Sequence, residues 1–342
     1  MTATGGAKGT VLVTGGSGFL GGRAIIDLLE RGYEVRTTVR SKAKAPRIEE
    51  NISNELGRPA GIEFFEADLS ADDGWAEAVA GCRFVLHIAS PFPPGKPKDP
   101  QELIKPAVEG ATRVIGAALD SGVERVVMTS SVAAIRGGVN QEDRPYTEED
   151  WTDIDAVAAY PQSKTLAEQA AWDLVDERGE REKLAVINPS AILGPVMPDD
   201  DSFSLEGIQR LLDGMPAVPE IGFSWVDVRD VSAAHIAAME KPEAGGRRYI
   251  ASGPFLWLLE VSEILRERVP DLAKKAPTRK APKFMVRIMA IFDPGARALV
   301  QDIGKRNDFD TTRAKEVLGI EARPVEETIV ECARSLAARA QS

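Results

Sequence analysis

Cysteine is almost absent from this chain. Cys82 and Cys332 are its only two, far apart and without metal-ligand spacing, which excludes a disulfide framework and leaves no metal site to expect. A reducing, cytoplasmic setting is the expectation. Histidine is equally scarce, with His87 and His235 alone. No Gly-x-Ser-x-Gly elbow accompanies them, so a serine-hydrolase triad has no support, and both read as structural. No apolar stretch approaches the roughly 18 residues of a membrane helix; the nearest, around Val286 to Phe292, is short and broken by Arg287. The opening MTATGGAKG lacks a basic segment leading into an apolar core, so no signal peptide is expected. Basic charge is also in deficit: the formal net charge of -11 argues against nucleic acid or an anionic membrane as partner.

What is present suits a large folded unit. With 342 residues and 43% hydrophobic content the chain can bury a sizeable core. Its first half alternates short β-branched runs with helix-period segments, the signature of βαβ units and a parallel sheet. Strands are predicted at 10–14, 34–39, 62–66, 84–88, 125–129 and 184–187, and helices at 18–30, 72–79, 100–121 and 160–177. After Asn188-Pro189 the rhythm breaks into proline-interrupted pieces, with a short amphipathic helix at 205–212. A helix at 228–239 and a strand at 248–251 are expected to return to the sheet. The predicted fold is therefore α/β: a doubly wound, Rossmann-like parallel sheet with a smaller C-terminal substrate-binding region. Residues 1–189 form the dinucleotide-binding part, with returning segments at about 226–252, and 190–225 and 253–342 form the substrate region. Within the latter, 273–298 mixes basic and apolar residues and suits either a lid flank or a subunit contact.

Between the first strand and helix the sequence reads Val11-Leu-Val-Thr-Gly15-Gly-Ser-Gly18-Phe-Leu-Gly21, as Gly15-x-x-Gly18-x-x-Gly21 or Gly16-x-Gly18-x-x-Gly21. Missing side chains let backbone approach a pyrophosphate, whose charge then lies at the positive end of the helix. At the end of the second strand, where an NAD site carries an acid, Val39 is followed by Arg40, Lys42, Lys44 and Arg47. Cations there suit a 2′-phosphate, which Arg40 can bind bidentately, so NADP(H) is the expected cofactor. Asp68 is placed to accept from the adenine amino group or, alternatively, to stabilise its own loop beside Ser70.

Tyr160 and Lys164 stand four residues apart, on one face of a helix. A free tyrosine titrates near pH 10, and lowering it to about 7 takes roughly 4 kcal/mol, which a nearby lysine and an oxidised nicotinamide can supply together. The strand Val126-Val127-Met128-Thr129 ends in Ser130-Ser131, at the edge where an open parallel sheet presents its ligand crevice. Either serine can donate to a substrate oxygen; Ser131 is preferred and Ser130 is the alternative.

Taken in order, these segments resemble the extended short-chain dehydrogenase/reductase superfamily, and within it the branch of dihydroflavonol 4-reductase, cinnamoyl-CoA reductase and microbial aldehyde and ketone reductases. The resemblance also runs through Val35–Arg40, Ala67-Asp68-Leu69, His87–Pro91, Lys105–Gly110, Ser163–Trp172, Pro189–Pro195 and Trp225–Asp230. It implies Ser131, Tyr160 and Lys164 as catalytic residues. It implies Gly15, Ser17, Gly18, Phe19, Leu20, Gly21, Ala89 and Ser90 around the dinucleotide, with Tyr160 and Lys164 also touching it. By the same resemblance Arg40, Lys44 and Arg47 hold the 2′-phosphate, Asp68 and Leu69 the adenine, and Pro189 and Ser190 the nicotinamide carboxamide. Two positions depart from the wider superfamily: Ala107 replaces an asparagine, as this branch does, and Arg136 stands where flavonoid reductases carry a substrate-contacting asparagine.

The expected activity is NADPH-dependent reduction of an aldehyde or ketone, with Tyr160 as proton donor. The expected substrate is small and apolar or aromatic, because Phe92, Met197, Phe203, Phe223 and Trp225 fall in segments suited to line a pocket. A sugar-nucleotide epimerase or dehydratase is the second reading, though the 195–225 region offers few cations beyond Arg210 for a diphosphate. A non-catalytic NADP-binding sensor is the third, and loss of a catalytic side chain would mark it. Both a monomer and a homodimer fit.

Overall fold

The computed structural model describes residues 8–91, 99–138, 144–198, 200, 203–282, 284 and 302–340. Seven strands form one parallel sheet in the order β3-β2-β1-β4-β5-β6-β9. They are β1 (Thr10–Thr14), β2 (Glu34–Val39), β3 (Glu63–Glu66), β4 (Phe84–His87), β5 (Arg125–Thr129), β6 (Leu184–Pro189) and β9 (Arg247–Ala251). Both faces are covered, so alternate residues of one strand enter opposite cores. Val11 and Val13 join one cluster with Ile25 and Leu28 of α1 (Phe19–Glu30) and Val231 and Ala234 of α7 (Val228–Glu240). Leu12 joins the other, with Ala107, Ala111 and Val114 of α4 (Gln101–Asp120) and Ala167 and Ala171 of α5 (Ala159–Glu177). Each such fully buried Val or Leu contributes about 1.5–3 kcal/mol.

The order reverses between β1 and β4, the switch point where an open α/β sheet leaves a crevice at the carboxyl ends of its strands. The approach there is close: a Cβ on Gly15, whose φ is +75°, would sit 3.0 Å from the Ala89 Cα. Thr14 ties the same two strand ends, accepting from the Ala89 amide at 3.0 Å.

The predicted elements differ from these in detail. A helix α2 (Ala45–Leu56) takes in the last of the cation cluster unannounced, because it buries only Ile48 and Ile52 and carries Pro46 in its first turn. Helix α3 (Trp75–Val79) starts later than predicted, since Gly74 before it has φ +84°. Beyond β6 lies a second, three-stranded sheet ordered β10-β8-β7. It comprises β7 (Ala191–Leu193), β8 (Gly222–Asp227) and β10 (Phe255–Trp257), flanked by α6 (Phe203–Asp213), α8 (Leu258–Arg268) and α9 (Val325–Arg339).

The run Trp225–Asp230 joins these parts. Asp227 caps α7 by accepting from the Arg229 amide at 2.8 Å, and also accepts from Thr328 of α9 at 2.8 Å. Arg229 bridges Asp227 and Glu331, at 2.6 and 2.5 Å. No helix among the described residues is long and apolar enough to cross a membrane.

Candidate active site

The glycine-rich turn lies at the switch point, between β1 and α1. Helix α1 begins after Gly18, which provides no side-chain cap, so among the described residues its first turn has no capping side chain and its positive end suits an anion. A Cβ on Gly18 would meet only the Gly15 carbonyl, at 3.4 Å, whereas one on Gly21 would fall 2.1 Å from that oxygen. Gly18 thus keeps the approach to the turn open, and Gly21 lets the helix seat on the loop. Met197 lies over the same helix start, its methyl 2.1 Å from where a Gly22 Cβ would be. Its loop is held to α9 by Ser335, which accepts from the Val196 amide at 3.1 Å, and by Arg339, which donates to the Asp200 carbonyl.

Arg40 is exposed just past the end of β2, with Lys44 and Arg47 on the turn and helix that follow. Arg40 acts electrostatically on Asp68, so the 2′-phosphate and adenine candidates share one corner. Asp68 Oδ1 accepts from the amide and hydroxyl of Ser70, at 2.8 and 2.6 Å, and these bonds hold its carboxyl below the ordinary aspartate range. The loop-stabilising role is therefore real, whatever else Asp68 does. Ser190, just past the end of β6, is buried, and its hydroxyl has no partner among the described residues. A buried orphan hydroxyl at a strand end suits an amide-bearing ring. Together the uncapped helix, the open Gly18, the cation corner and Ser190 fit a 2′-phosphorylated nicotinamide dinucleotide.

Helix α5 brings Tyr160 and Lys164 over this crevice. Tyr160 stands in its first turn, where Pro161 costs no helical hydrogen bond. The two candidate serines separate cleanly. Ser130 is buried and donates to Glu168 Oε2 at 2.5 Å. The Ser131 hydroxyl accepts from the Ala133 amide at 3.1 Å and lies close enough to act on the Tyr160 phenol. Tyr160 keeps 39% of its surface open to the cleft. The surrounding protein still makes desolvation the larger influence, so the phenol's pKa lies above its ordinary value, with Ser131 acting in the lowering direction. The chain's own groups thus do not produce the expected depression toward neutrality. Lys164 is pulled down to about 8 by burial, against the opposing charge of Glu168.

Lys164 also acts on His87 at the end of β4. His87 accepts or donates through Nδ1 to Thr14 Oγ1 at 3.0 Å; His235 donates from Nδ1 to the Val231 carbonyl at 2.8 Å and meets Thr129 at 2.6 Å through Nε2. Both imidazoles serve packing, and burial lowers them to about 3 and about 4, from 6.5. The unfolded chain then binds protons that the folded chain refuses. Their contribution to stability is full above about 6.5 and is lost as pH falls toward the folded values. A urea midpoint at about pH 5 should lie below that at about pH 7.5, in a window above the ordinary carboxyl range; an unchanged midpoint would exclude buried neutral histidines.

Among the pocket aromatics, Trp225 is a core residue, 3% exposed, with Phe223 edge-on against it at 5.4 Å between centroids. Phe92 and the Phe203 side chain lie outside the described residues, as does most of 283–301. Arg136 is half-buried and pairs with Asp302 at 3.2 Å. Three site residues had no counterpart in the sequence reading: Glu168, Asn188 and Arg248, all buried. Their only sequence signal is that Glu168 follows Lys164 by one helical turn.

Residues 11–251 match the family described as NAD dependent epimerase/dehydratase. A cinnamoyl-CoA reductase of Medicago truncatula is 37% identical over 270 residues, covering 77% of this chain and 81% of its own. Cinnamoyl-CoA reductase 2 of Arabidopsis thaliana is 33% identical over 335 residues, covering 95% and 92%. Among solved structures, yeast methylglyoxal/isovaleraldehyde reductase complexed with NADPH superposes with a TM-score of 0.80 at 28% identity, over 97% of this chain and 99% of that one.

Proposed function

The chain belongs to the NAD dependent epimerase/dehydratase family, the extended short-chain dehydrogenases/reductases, on their cinnamoyl-CoA reductase-like branch, and on that premise we propose that it is an NADPH-dependent reductase of small aldehydes or ketones. The observation that carries the reading is the convergence of three side chains at the switch-point end of the sheet: Ser131, held by the Ala133 amide just past β5, and Tyr160 with Lys164 one turn further on in α5. NADPH, when bound, supplies the hydride.

The chain's own groups do the rest. The Ser131 hydroxyl receives the Ala133 N–H and keeps its proton to donate to the substrate oxygen. Tyr160, with its pKa raised, is a neutral phenol at pH 7, the form a proton donor to a developing alkoxide must have. The Lys164 ammonium stabilises the phenolate that remains, and its pKa near 8 keeps it mostly charged at neutral pH. Turnover in the reducing direction should therefore decline as pH rises past about 8.

The test is loss of NADPH absorbance, with NADH in parallel, against aromatic and aliphatic aldehydes and ketones. NADPH-preferring turnover supports the reading; none on the whole panel returns weight to the epimerase or sensor alternatives. Within it, Arg40→Ala should raise KM for NADPH about 10- to 100-fold, as loss of a charged hydrogen-bond pair costs roughly 1.5–3 kcal/mol. The NADH constants should hardly move, and an equal effect on both cofactors would remove Arg40 from the 2′-phosphate.

A further inference from the structure

Behind the crevice the sheet ends meet a buried charge that the mechanism above leaves unused. Glu168 is fully buried. Its Oε2 accepts from Ser130 at 2.5 Å and from Asn188 Nδ2 at 2.8 Å, and its Oε1 from Arg248 Nε at 2.5 Å and, more loosely, from Trp172 Nε1 at 3.4 Å. One carboxylate thus collects the ends of β5 and β6, the edge strand β9 and its own helix. Asn188 extends the connection: its Nδ2 also donates to the Ser131 carbonyl at 3.2 Å. Both neighbours of that nitrogen are acceptors, which fixes the amide orientation and leaves Asn188 Oδ1 without a partner among the described residues.

Replacing a buried ion pair by apolar residues of like volume is often neutral or stabilising. Stability alone therefore gives no reason for a carboxylate at this position, one helical turn from Lys164. We propose that Glu168 is a positioning residue for the reduction: it fixes the turn that carries Ser131, directly through Ser130 and through Asn188, and places a carboxylate one helical turn from Lys164. This rests on the reading of Ser131 and Lys164 as catalytic. The charge that faces Lys164 from its own helix is that of Glu168, which opposes the lowering by burial. From β4 the lysine meets His87, neutral by burial. Helix α4 packs on α5 through uncharged Ala107, Ala111 and Val114. Arg248 lies beyond the carboxylate, 3.7 Å from the centroid of the Trp151 ring it covers.

The experiment uses Glu168→Gln, which keeps size and one acceptor but removes the charge. The lysines are reductively methylated with labelled formaldehyde, and the Lys164 resonance, assigned by its loss in Lys164→Arg, is titrated by NMR in the cofactor-free protein. Its midpoint should fall by about one pH unit relative to wild type. In turnover, kcat should drop about 10-fold or more, KM for NADPH should change less than about 3-fold, and the alkaline decline of kcat should move to lower pH. A folded Glu168→Gln with an unmoved midpoint, or with wild-type kcat, overturns the proposal.

If Glu168→Gln does not fold, Glu168→Asp, which withdraws the charge by one methylene, is read the same way: a lower midpoint with lower kcat supports it, and neither moving overturns it. Failure of the catalytic reading is separate. It appears as full activity in Tyr160→Phe and leaves the Lys164 midpoint free to report on Glu168.

Discussion

Tyr160→Phe should lower kcat for carbonyl reduction by about 10²- to 10⁴-fold, the range that a positioned general acid supplies. The substitution removes one oxygen and leaves the ring, so helix α5 and the crevice wall are unchanged. KM for NADPH should stay within a few-fold. Ser131 keeps the bond from the Ala133 amide, so its orientation should be retained. The residual rate then measures what Ser131, Lys164 and binding achieve without a proton donor. Two features of the site make the loss specific. The phenol's pKa is raised by desolvation, so near neutrality nearly every wild-type molecule carries the proton to be delivered. Lys164, near 8, is expected to supply the countercharge only while protonated. A variant retaining more than about a tenth of wild-type kcat would transfer the acid role to water or to Ser131 and leave Tyr160 a binding residue.

The first half of the fold was legible because its strands are buried on both faces. Val11-Leu12-Val13 and Val126-Val127-Met128 are runs that only a covered parallel sheet accommodates, and the glycines between strand and helix mark the crossover. The second half was less legible for an equally local reason. Strands β7 and β10 are three residues each, too short to show a period of two, and β7 follows β6 after a single residue. Helix α2 hid behind the cations that suggested a phosphate site.

In the site, the spacing of Tyr160 and Lys164 shows only that they share a helix face; the strand-end serines and the family resemblance are what made them candidates. Choosing between Ser130 and Ser131 was not possible from spacing, since adjacent residues at a strand end face opposite ways and only the tertiary partner distinguishes them. Ser130 is bonded to the buried Glu168, whereas Ser131 acts on the Tyr160 phenol. Glu168 itself was invisible because a glutamate in a helix is ordinarily solvated. Its donors come from residues 130, 188 and 248, which only the sheet order brings together.

The same carboxylate sets the largest expected effect on stability. Arg248→Met should destabilise the protein by about 3–5 kcal/mol, because it leaves a buried negative charge without its counter-charge. Arg248 is 7% exposed and also donates to the Glu148 and Asp150 carbonyls, at 2.7 and 2.9 Å. Those bonds hold the 144–151 segment along β9, the last strand of the sheet, where Glu148 accepts the outward Ile250 amide at 3.0 Å. Losing the arginine therefore frees the cover of an edge strand as well as exposing the pairing defect. The double variant Arg248→Met/Glu168→Gln separates the two contributions. Removing the orphaned charge should recover part of the loss, giving a coupling well above zero, while the carbonyls of Glu148 and Asp150 stay unsatisfied. Urea unfolding of the four proteins supplies the cycle. Arg306→Ala is the comparison, since its pair with Asp308 is exposed on both sides and should be worth about 1 kcal/mol or less. If Arg248→Met costs no more than Arg306→Ala, the buried pair does not hold the sheet end, and the cover of β9 must rest on the Glu148–Ile250 bond and on Tyr146 packing against Phe309.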